Sequence, residues 1–224
     1  MKEKLSRRFM IVGTLFSVCL IASNLLEIKV VDCGFMTVTA GMLVFPISYI
    51  LNDCMVEVWG FRKACFVIWM GFAMNFLVMI LGGLATFLPS PDYWDGAVHF
   101  NYMFSLAPRI VAASLTAFLL GSFLNAFVMS RMKKASGGRH FSFRAIASTV
   151  IGECADSLVF FPIAFIGLMP SYELLKMMAV QACLKTLIEV VVLPITTQLV
   201  KYLKRTEETD TFDENISYNP FKLS

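Results

Sequence analysis

Charged residues are scarce in this chain. Asp, Glu, Lys and Arg make up 16% of its 224 residues, against about 25% in ordinary soluble domains. The apolar fraction is 58%, and a soluble domain of this size has no interior large enough to hide it. A soluble globular protein is therefore excluded, and a bilayer serves as solvent for most of the surface. There are two histidines, His99 and His140, both outside the long apolar runs. No His-Glu-x-x-His, Gly-x-Ser-x-Gly or phosphate-binding loop occurs, so zinc-protease, serine-hydrolase and self-contained ATPase chemistry lack their residues. The six cysteines contain no Cys-x-x-Cys pair. Five of them sit inside apolar runs, where Cys packs as a small hydrophobe, so neither a metal nor a disulfide framework is expected. No basic stripe exists outside short loops, so nucleic acid is not an expected partner. No cofactor is expected either.

What is present is a series of six apolar stretches of about 20 residues or more, the length that crosses a bilayer as a helix. They lie near Phe9–Ile28, Thr39–Trp59, Ala64–Phe87, Arg109–Met129, Phe143–Leu168 and Tyr172–Tyr202. The first follows a basic start (Lys2, Lys4, Arg7, Arg8), but its length and the poor cleavage site at Ala22-Ser23-Asn24 favour a spanning helix over a removable signal. With the N-terminus inside, the inner segments carry Lys2, Lys4, Arg7, Arg8, Arg62, Lys63, Arg131, Lys133, Lys134, Arg139, Arg144, Lys201, Lys204, Arg205 and Lys222. Only Lys29, Arg109, Lys176 and Lys185 fall elsewhere, and the outer loop Leu88–Ala107 has neither Lys nor Arg. That asymmetry predicts an even number of spans with both termini cytoplasmic, in a bacterial inner membrane. The expected organisation is a six-helix transmembrane domain over residues 1–205 and a polar cytoplasmic tail over 206–224, lying along the surface or disordered.

The polar residues inside the apolar stretches point to function, because a charge at bilayer depth costs at least about 2.5–3.5 kcal/mol and faces a cavity or a partner. Span 1 carries Asn24 and Glu27, span 2 Asn52, Asp53 and Glu57, and span 3 Asn75. Span 4 carries Arg109 and Asn125, span 5 Glu153 and Asp156, and span 6 Gln181, Lys185 and Glu189. Asp53/Glu57, Glu153/Asp156 and Gln181/Lys185/Glu189 recur at spacings of three or four and so share one face of their helices. At 1.5 Å per residue, Glu153, Asp156 and Lys185 all fall roughly 15–20 Å deep, near the midplane. Lys185 is placed to neutralise Glu153 or Asp156, which leaves carboxylates over for protons or a donor-rich ligand. The bland readings are a buried structural ion-pair network, amides serving as interhelical glue, and Glu57 snorkelling to Arg62 and Lys63.

The run Phe45-Pro46-x-x-Tyr49-x-x-x-Asp53-x-x-x-Glu57-x-x-Gly60 resembles the second span of the queuosine precursor transporter family, also called the vitamin uptake transporter family. Arg109-x-x-x-Ala113-Ser114 with Gly121-x-x-x-Asn125 resembles its fourth span. Ser148-Thr149-x-x-Gly152-Glu153-x-x-Asp156-Ser157-x-x-Phe160 resembles its fifth, and Lys185-x-x-x-Glu189 with Pro194-x-Thr196 its sixth. The resemblance covers nearly the whole chain; Glu27 has no counterpart in it. It implies an all-α membrane fold of six transmembrane helices similar to the substrate-binding components of energy-coupling-factor transporters. It also implies import of 7-cyano-7-deazaguanine or a related 7-deazaguanine.

A 7-deazaguanine offers adjacent N–H donors that one carboxylate can accept, a carbonyl that wants Asn, Lys or Arg, and a flat ring that wants an aromatic neighbour. Glu153 or Asp156 is expected on the donor edge and Lys185 or Asn125 on the acceptor edge, with Phe45, Tyr49, Phe160 or Phe161 stacking. The substrate-binding candidates are Asn24, Phe45, Tyr49, Asp53, Glu57, Asn125, Glu153, Asp156, Lys185 and Glu189. The expected activity is secondary transport rather than catalysis. The alternatives are a binding subunit driven by a separate ATPase and an intramembrane aspartyl enzyme using Asp53 and Asp156. The expected partners are a purine-like small molecule and the lipid bilayer, and the sequence leaves room for a homo-oligomer.

Overall fold

The computed structural model describes residues 6–26, 29–32, 37–105, 108–165, 171–213 and 218–219. Its helices are α1 (Arg7–Leu26), α2 (Phe45–Trp59), α3 (Phe61–Ala85), α4 (Gly96–Ser105), α5 (Pro108–Ala135), α6 (Phe141–Phe165) and α7 (Ser171–Glu207). Five of them, α1, α3, α5, α6 and α7, are long and apolar enough to cross a membrane. Their outward faces carry large apolar side chains at helical spacing, such as Phe66, Met70, Met74, Leu77 and Leu81 on α3 and Leu187, Val191 and Ile195 on α7. Such stripes are stable only against lipid or another apolar surface.

The second apolar stretch differs from a simple span. It starts with a 3-10 turn, Ala40–Leu43, and continues as α2, which has 15 residues, about 22 Å at the helical rise. That is shorter than the roughly 30 Å hydrocarbon core. Every residue from Leu51 to Trp59 is buried, because α2 packs against α1, α3, α5 and α7 at once. Surrounded in this way, α2 needs no lipid-facing stripe and can carry Asn52 on a different face from Asp53 and Glu57. Pro46 sits at its first turn, where no backbone hydrogen bond is lost.

Two further elements connect the helices. Strands β1 (Val30–Asp32) and β2 (Thr37–Thr39) form an antiparallel hairpin, with Val30 opposite Thr39. The loop between α3 and α5 contains α4, which packs on α3. Following the chain, the hairpin and α4 occupy one end of the bundle, the top. The opposite end, the base, holds the start of α1 and the end of α7, where Arg8 Nη1 donates to Glu207 Oε1 at 3.1 Å.

At the base α2 turns into α3 through Gly60 alone. Its φ of 88° is in the left-handed region, which a side chain would resist. The tail then docks on that turn. Asp213 accepts from the Phe61 backbone N–H at 3.2 and 3.1 Å, capping α3, and from Ser130 Oγ. Thr211 N–H donates to Val58 O at 3.2 Å. The tail up to Asp213 is therefore packed into the base. Glu27 and Cys33, together with the side chains of Arg109 and Gln181, lie outside the described residues.

Candidate functional site

Helices α2, α5, α6 and α7 bring the polar residues of the apolar stretches together along the axis of the bundle. α2, α5 and α7 run from top to base and α6 runs back, so residues four apart on each step down or up by one turn. Three layers result.

The upper layer holds Lys185, Glu153, Asp156, Phe45 and Tyr49. Lys185 Nζ stands 2.9 Å from Glu153 Oε2 and donates to Asp156 Oδ2 at 3.1 Å. It also lies 3.6 Å from the centre of the Phe45 ring, a cation–π contact. The Tyr49 ring is 4.7 Å from Phe45, and its hydroxyl reaches the Glu153 carboxylate. Neither Glu153 oxygen accepts an aligned hydrogen bond, although the residue is fully buried. The ammonium thus faces two carboxylates, one of which keeps acceptor capacity. Beside them lies a cavity lined by Met42, Phe45, Pro46, Tyr49, Thr149, Glu153, Lys185, Ile188 and Glu189. Its volume is about 10 Å³, about one water's worth, so a bicyclic ligand enters only if α2, α6 and α7 part.

A glycine contact sets this layer. A Cβ on Gly121 of α5 would stand 2.9 Å from Gly152 O, and one on Gly152 of α6 would stand 2.9 Å from Gly121 O. The two backbones touch, as small residues permit in membrane helices. Their approach seats Asp156 against α5, with Glu153 next to Gly152 in the chain.

One turn nearer the base lie Asp53, Glu189, Asn125 and Thr149. Asp53 and Asn125 are fully buried and lie within side-chain hydrogen-bonding reach of one another, but no oxygen or nitrogen of either side chain makes an aligned hydrogen bond. Asp53 is in electrostatic reach of Glu189, Glu57 and Arg144, with Asn125 alongside. Thr149 and Glu189 both line the cavity, and Thr149 Oγ1 and Glu189 Oε1 are unpartnered.

The lowest layer is fully paired. Arg144 grips Glu57 with Nη1 on Oε2 at 2.5 Å and Nη2 on Oε1 at 2.9 Å. Lys204 Nζ reaches Glu57 Oε1 at 2.6 Å and Asp210 Oδ1 at 2.9 Å. Lys133 Nζ donates to the Glu57 carbonyl, to Asp210 Oδ1 and to Thr211 O. Glu57 thus pairs with residues of α5, α6 and α7 rather than with Arg62 and Lys63, its neighbours in sequence.

The vitamin uptake transporter family, described as "Putative vitamin uptake transporter", matches residues 39–199, which contain the upper two layers and Glu57, Lys133 and Arg144 of the lowest. The chain belongs to this family. The chain is 24% identical to the "Probable queuosine precursor transporter" of Bacillus subtilis (strain 168), over 84% of this chain and 83% of that one. It is 29% identical to the "Queuosine precursor transporter" of Escherichia coli (strain K12), over 80% of each. It is 28% identical to the "Probable queuosine precursor transporter" of Haemophilus influenzae (strain ATCC 51907 / DSM 11121 / KW20 / Rd), over 57% of this chain and 52% of that one. No solved structure gives a significant match.

Of the ten candidates from the sequence, this member of the vitamin uptake transporters gathers Phe45, Tyr49, Glu153, Lys185 and Glu189 around the cavity, with Asp156 paired to Lys185 but not lining it. Asp53 and Asn125 sit one turn below. Glu57 belongs to the base cluster. Asn24 lies near the top of α1, where its Oδ1 accepts from Ser114 Oγ of α5 at 2.8 Å. Phe161 packs edge-on to Phe160 at 5.3 Å and does not line the cavity. Thr149 was missed among the candidates, although it sits four residues before Glu153, on the same helix face. Among the described residues no group of three or more His, Cys, Asp or Glu side chains is arranged to hold a metal.

Proposed function

We propose that this transporter is a secondary carrier that imports a queuosine precursor, 7-cyano-7-deazaguanine or a related 7-deazaguanine, across the bacterial inner membrane. The observation that carries this reading is the buried Lys185–Glu153–Asp156 group against Phe45 and Tyr49. A deazaguanine supplies what the group lacks. Its adjacent N–H donors match the spare Glu153 oxygens in bidentate fashion, and its carbonyl suits the Lys185 ammonium. Its ring takes the aromatic face that Lys185 covers in this closed state. The names of the relatives point to the same class of cargo.

The remaining parts of the reading are topological. Six crossings, with α2 as the central one, are supported by the Arg8–Glu207 pair, since five would leave the two ends of the domain on opposite faces. The base carries most of the Lys and Arg, which supports cytoplasmic termini and a cytoplasmic tail beyond residue 205. We take the fold to be similar to the binding components of energy-coupling-factor transporters, with the protein working without an ATPase partner.

Uptake of labelled precursor by purified protein in liposomes tests the proposal. The intact label should enter without ATP, and Glu153→Ala should abolish entry while the protein remains folded in the membrane. Normal uptake by that variant would remove Glu153 from the site, and uptake that needs an added ATPase would replace the carrier with a binding subunit.

A further inference from the structure

The upper two layers do not balance electrically. Among the described residues, Lys185 is the one ammonium set against four buried carboxylates, Glu153, Asp156, Asp53 and Glu189. Arg144 reaches Asp53 electrostatically but is committed in bidentate fashion to Glu57. A neutral deazaguanine satisfies acceptors of the upper layer and adds no charge. The middle layer therefore lacks a cation of its own, and burying unpaired carboxylates costs several kcal/mol per ion.

The acids of that layer do not stand alone. Asn125, beside Asp53, and Thr149, beside Glu189 in the cavity wall, are both at least nine-tenths buried and present polar atoms that make no aligned hydrogen bond. They come from α5 and α6, while Asp53 and Glu189 come from α2 and α7. We infer that Asp53 and Glu189, with Asn125 and Thr149, form a binding site for the monovalent cation, a proton or a sodium ion, whose gradient drives transport. The charged groups facing it are Glu57 and Arg144 from the base side and Glu153 from the cavity side. The three helices that must part to admit substrate, α2, α6 and α7, each contribute a ligand, and α5 adds Asn125. A cation there holds them together through otherwise repelling carboxylates, so its arrival and departure are coupled to opening.

The inference rests on the transport reading, and two assays on full-length protein keep their failures apart. The first needs no substrate. Thermal unfolding in detergent is compared in sodium and choline chloride at equal ionic strength, and across neutral pH. Bound sodium raises the melting temperature in the sodium salt; a bound proton makes it fall as pH rises, with no difference between salts. Either dependence should vanish in the combined Asp53→Asn, Glu189→Gln variant. A wild-type melting temperature blind to both, or a dependence that the variant retains, overturns the site. If the double variant does not fold, Glu189→Gln alone carries the test with the same outcomes.

The second assay compares exchange of labelled for unlabelled precursor with gradient-driven accumulation in liposomes. With one proton per substrate, a gradient of about one pH unit supports about tenfold accumulation. Asp53→Asn, at a residue one turn below the cavity and not among its lining, should keep exchange and fall to simple equilibration. Loss of exchange together with accumulation would place Asp53 in the substrate pocket and overturn the inference. Wild-type protein that exchanges no precursor defeats the substrate reading, and the melting assay still decides the cation site.

Discussion

The cavity layer and the base layer use the same residue types on the same helices and end in opposite electrostatic states. At the base, Glu57 is held by Arg144, Lys204 and Lys133, and the tail adds Asp210 and Asp213. Each charge there has a partner, and the cluster ties α2, α5, α6, α7 and the tail together. Around the cavity, one ammonium serves several carboxylates and buried oxygens stay unpartnered. A paired cluster is a structural lock; an underpaired one is a site that waits for a ligand. The contrast predicts that damage to the base costs folding, whereas damage at the cavity costs transport.

The largest stability effect should come from Arg144→Ala. It removes the bidentate partner of a fully buried carboxylate and leaves it only the lysine contacts, and breaking such a pair costs up to about 3–5 kcal/mol. Loss of folded protein from the membrane, read by detergent-extracted monodisperse material, is the expected outcome. A variant with wild-type yield and melting temperature would end the view of the base as a lock. Glu153→Gln gives the mirror result. Its substrate affinity should fall by about 2–5 kcal/mol, as when one partner of a buried charged contact is truncated, with a melting temperature no lower than wild type. A large loss of stability would mean that both layers are structural.

Gly121→Val comes next. Its Cβ meets the Gly152 carbonyl, so α5 and α6 must separate and shift Glu153 and Asp156 away from Lys185. Overpacking of this kind costs about 1–3 kcal/mol, and uptake should drop with it. A variant stable and active as wild type would show that the glycine contact does not set the layer. Smaller again is Asp213→Ala, which removes the cap of α3, worth about 1 kcal/mol. The melting temperature should fall slightly and uptake should persist.

The same contrast separates what the sequence revealed from what it hid. Spacing alone placed Glu153, Asp156 and Lys185 at one depth, because a residue's depth in a long apolar run follows from counting helical turns. The five long helices were legible for the same reason. The partner of Glu57 was not, since Arg144 lies 87 positions away and reads, like Lys133 and Lys204, as an ordinary inner-loop cation. Loop charges that obey the positive-inside rule can also be buried, and composition does not distinguish the two. The short, enclosed form of α2 was hidden too, because a helix wrapped on every side shows no periodicity that tells it from a lipid-facing one. The hairpin of β1 and β2 is three residues per strand, too short for an alternation signal. The docking of the tail depends on Asp213 and Gly60, 153 positions apart, and no local pattern joins them.

The smallest expected effect concerns how firmly the tail holds the base. Partial burial pushes the Asp210 carboxyl up, but hydrogen bonds and charge from Lys133 and Lys204 outweigh it and hold the group below its usual 3.8. A carboxyl lowered by folding stabilises the docked tail fully above that value, and the contribution disappears as pH falls through the lowered one. Asp210 is 43% exposed, so water and salt screen the contact and its contribution stays small. The Thr211 N–H bonded to Val58 O reports on it directly. At neutral pH its hydrogen exchange should be modestly faster in Asp210→Asn than in wild type, and added salt should narrow the difference. In strong acid the ratio should approach one, because wild type loses the same charge; whatever else acid does to the tail acts on both proteins and cancels. A ratio that stays constant from neutral pH to strong acid would mean that the Asp210 charge contributes nothing, leaving the Asp213 cap and the Thr211 backbone contact to hold the tail.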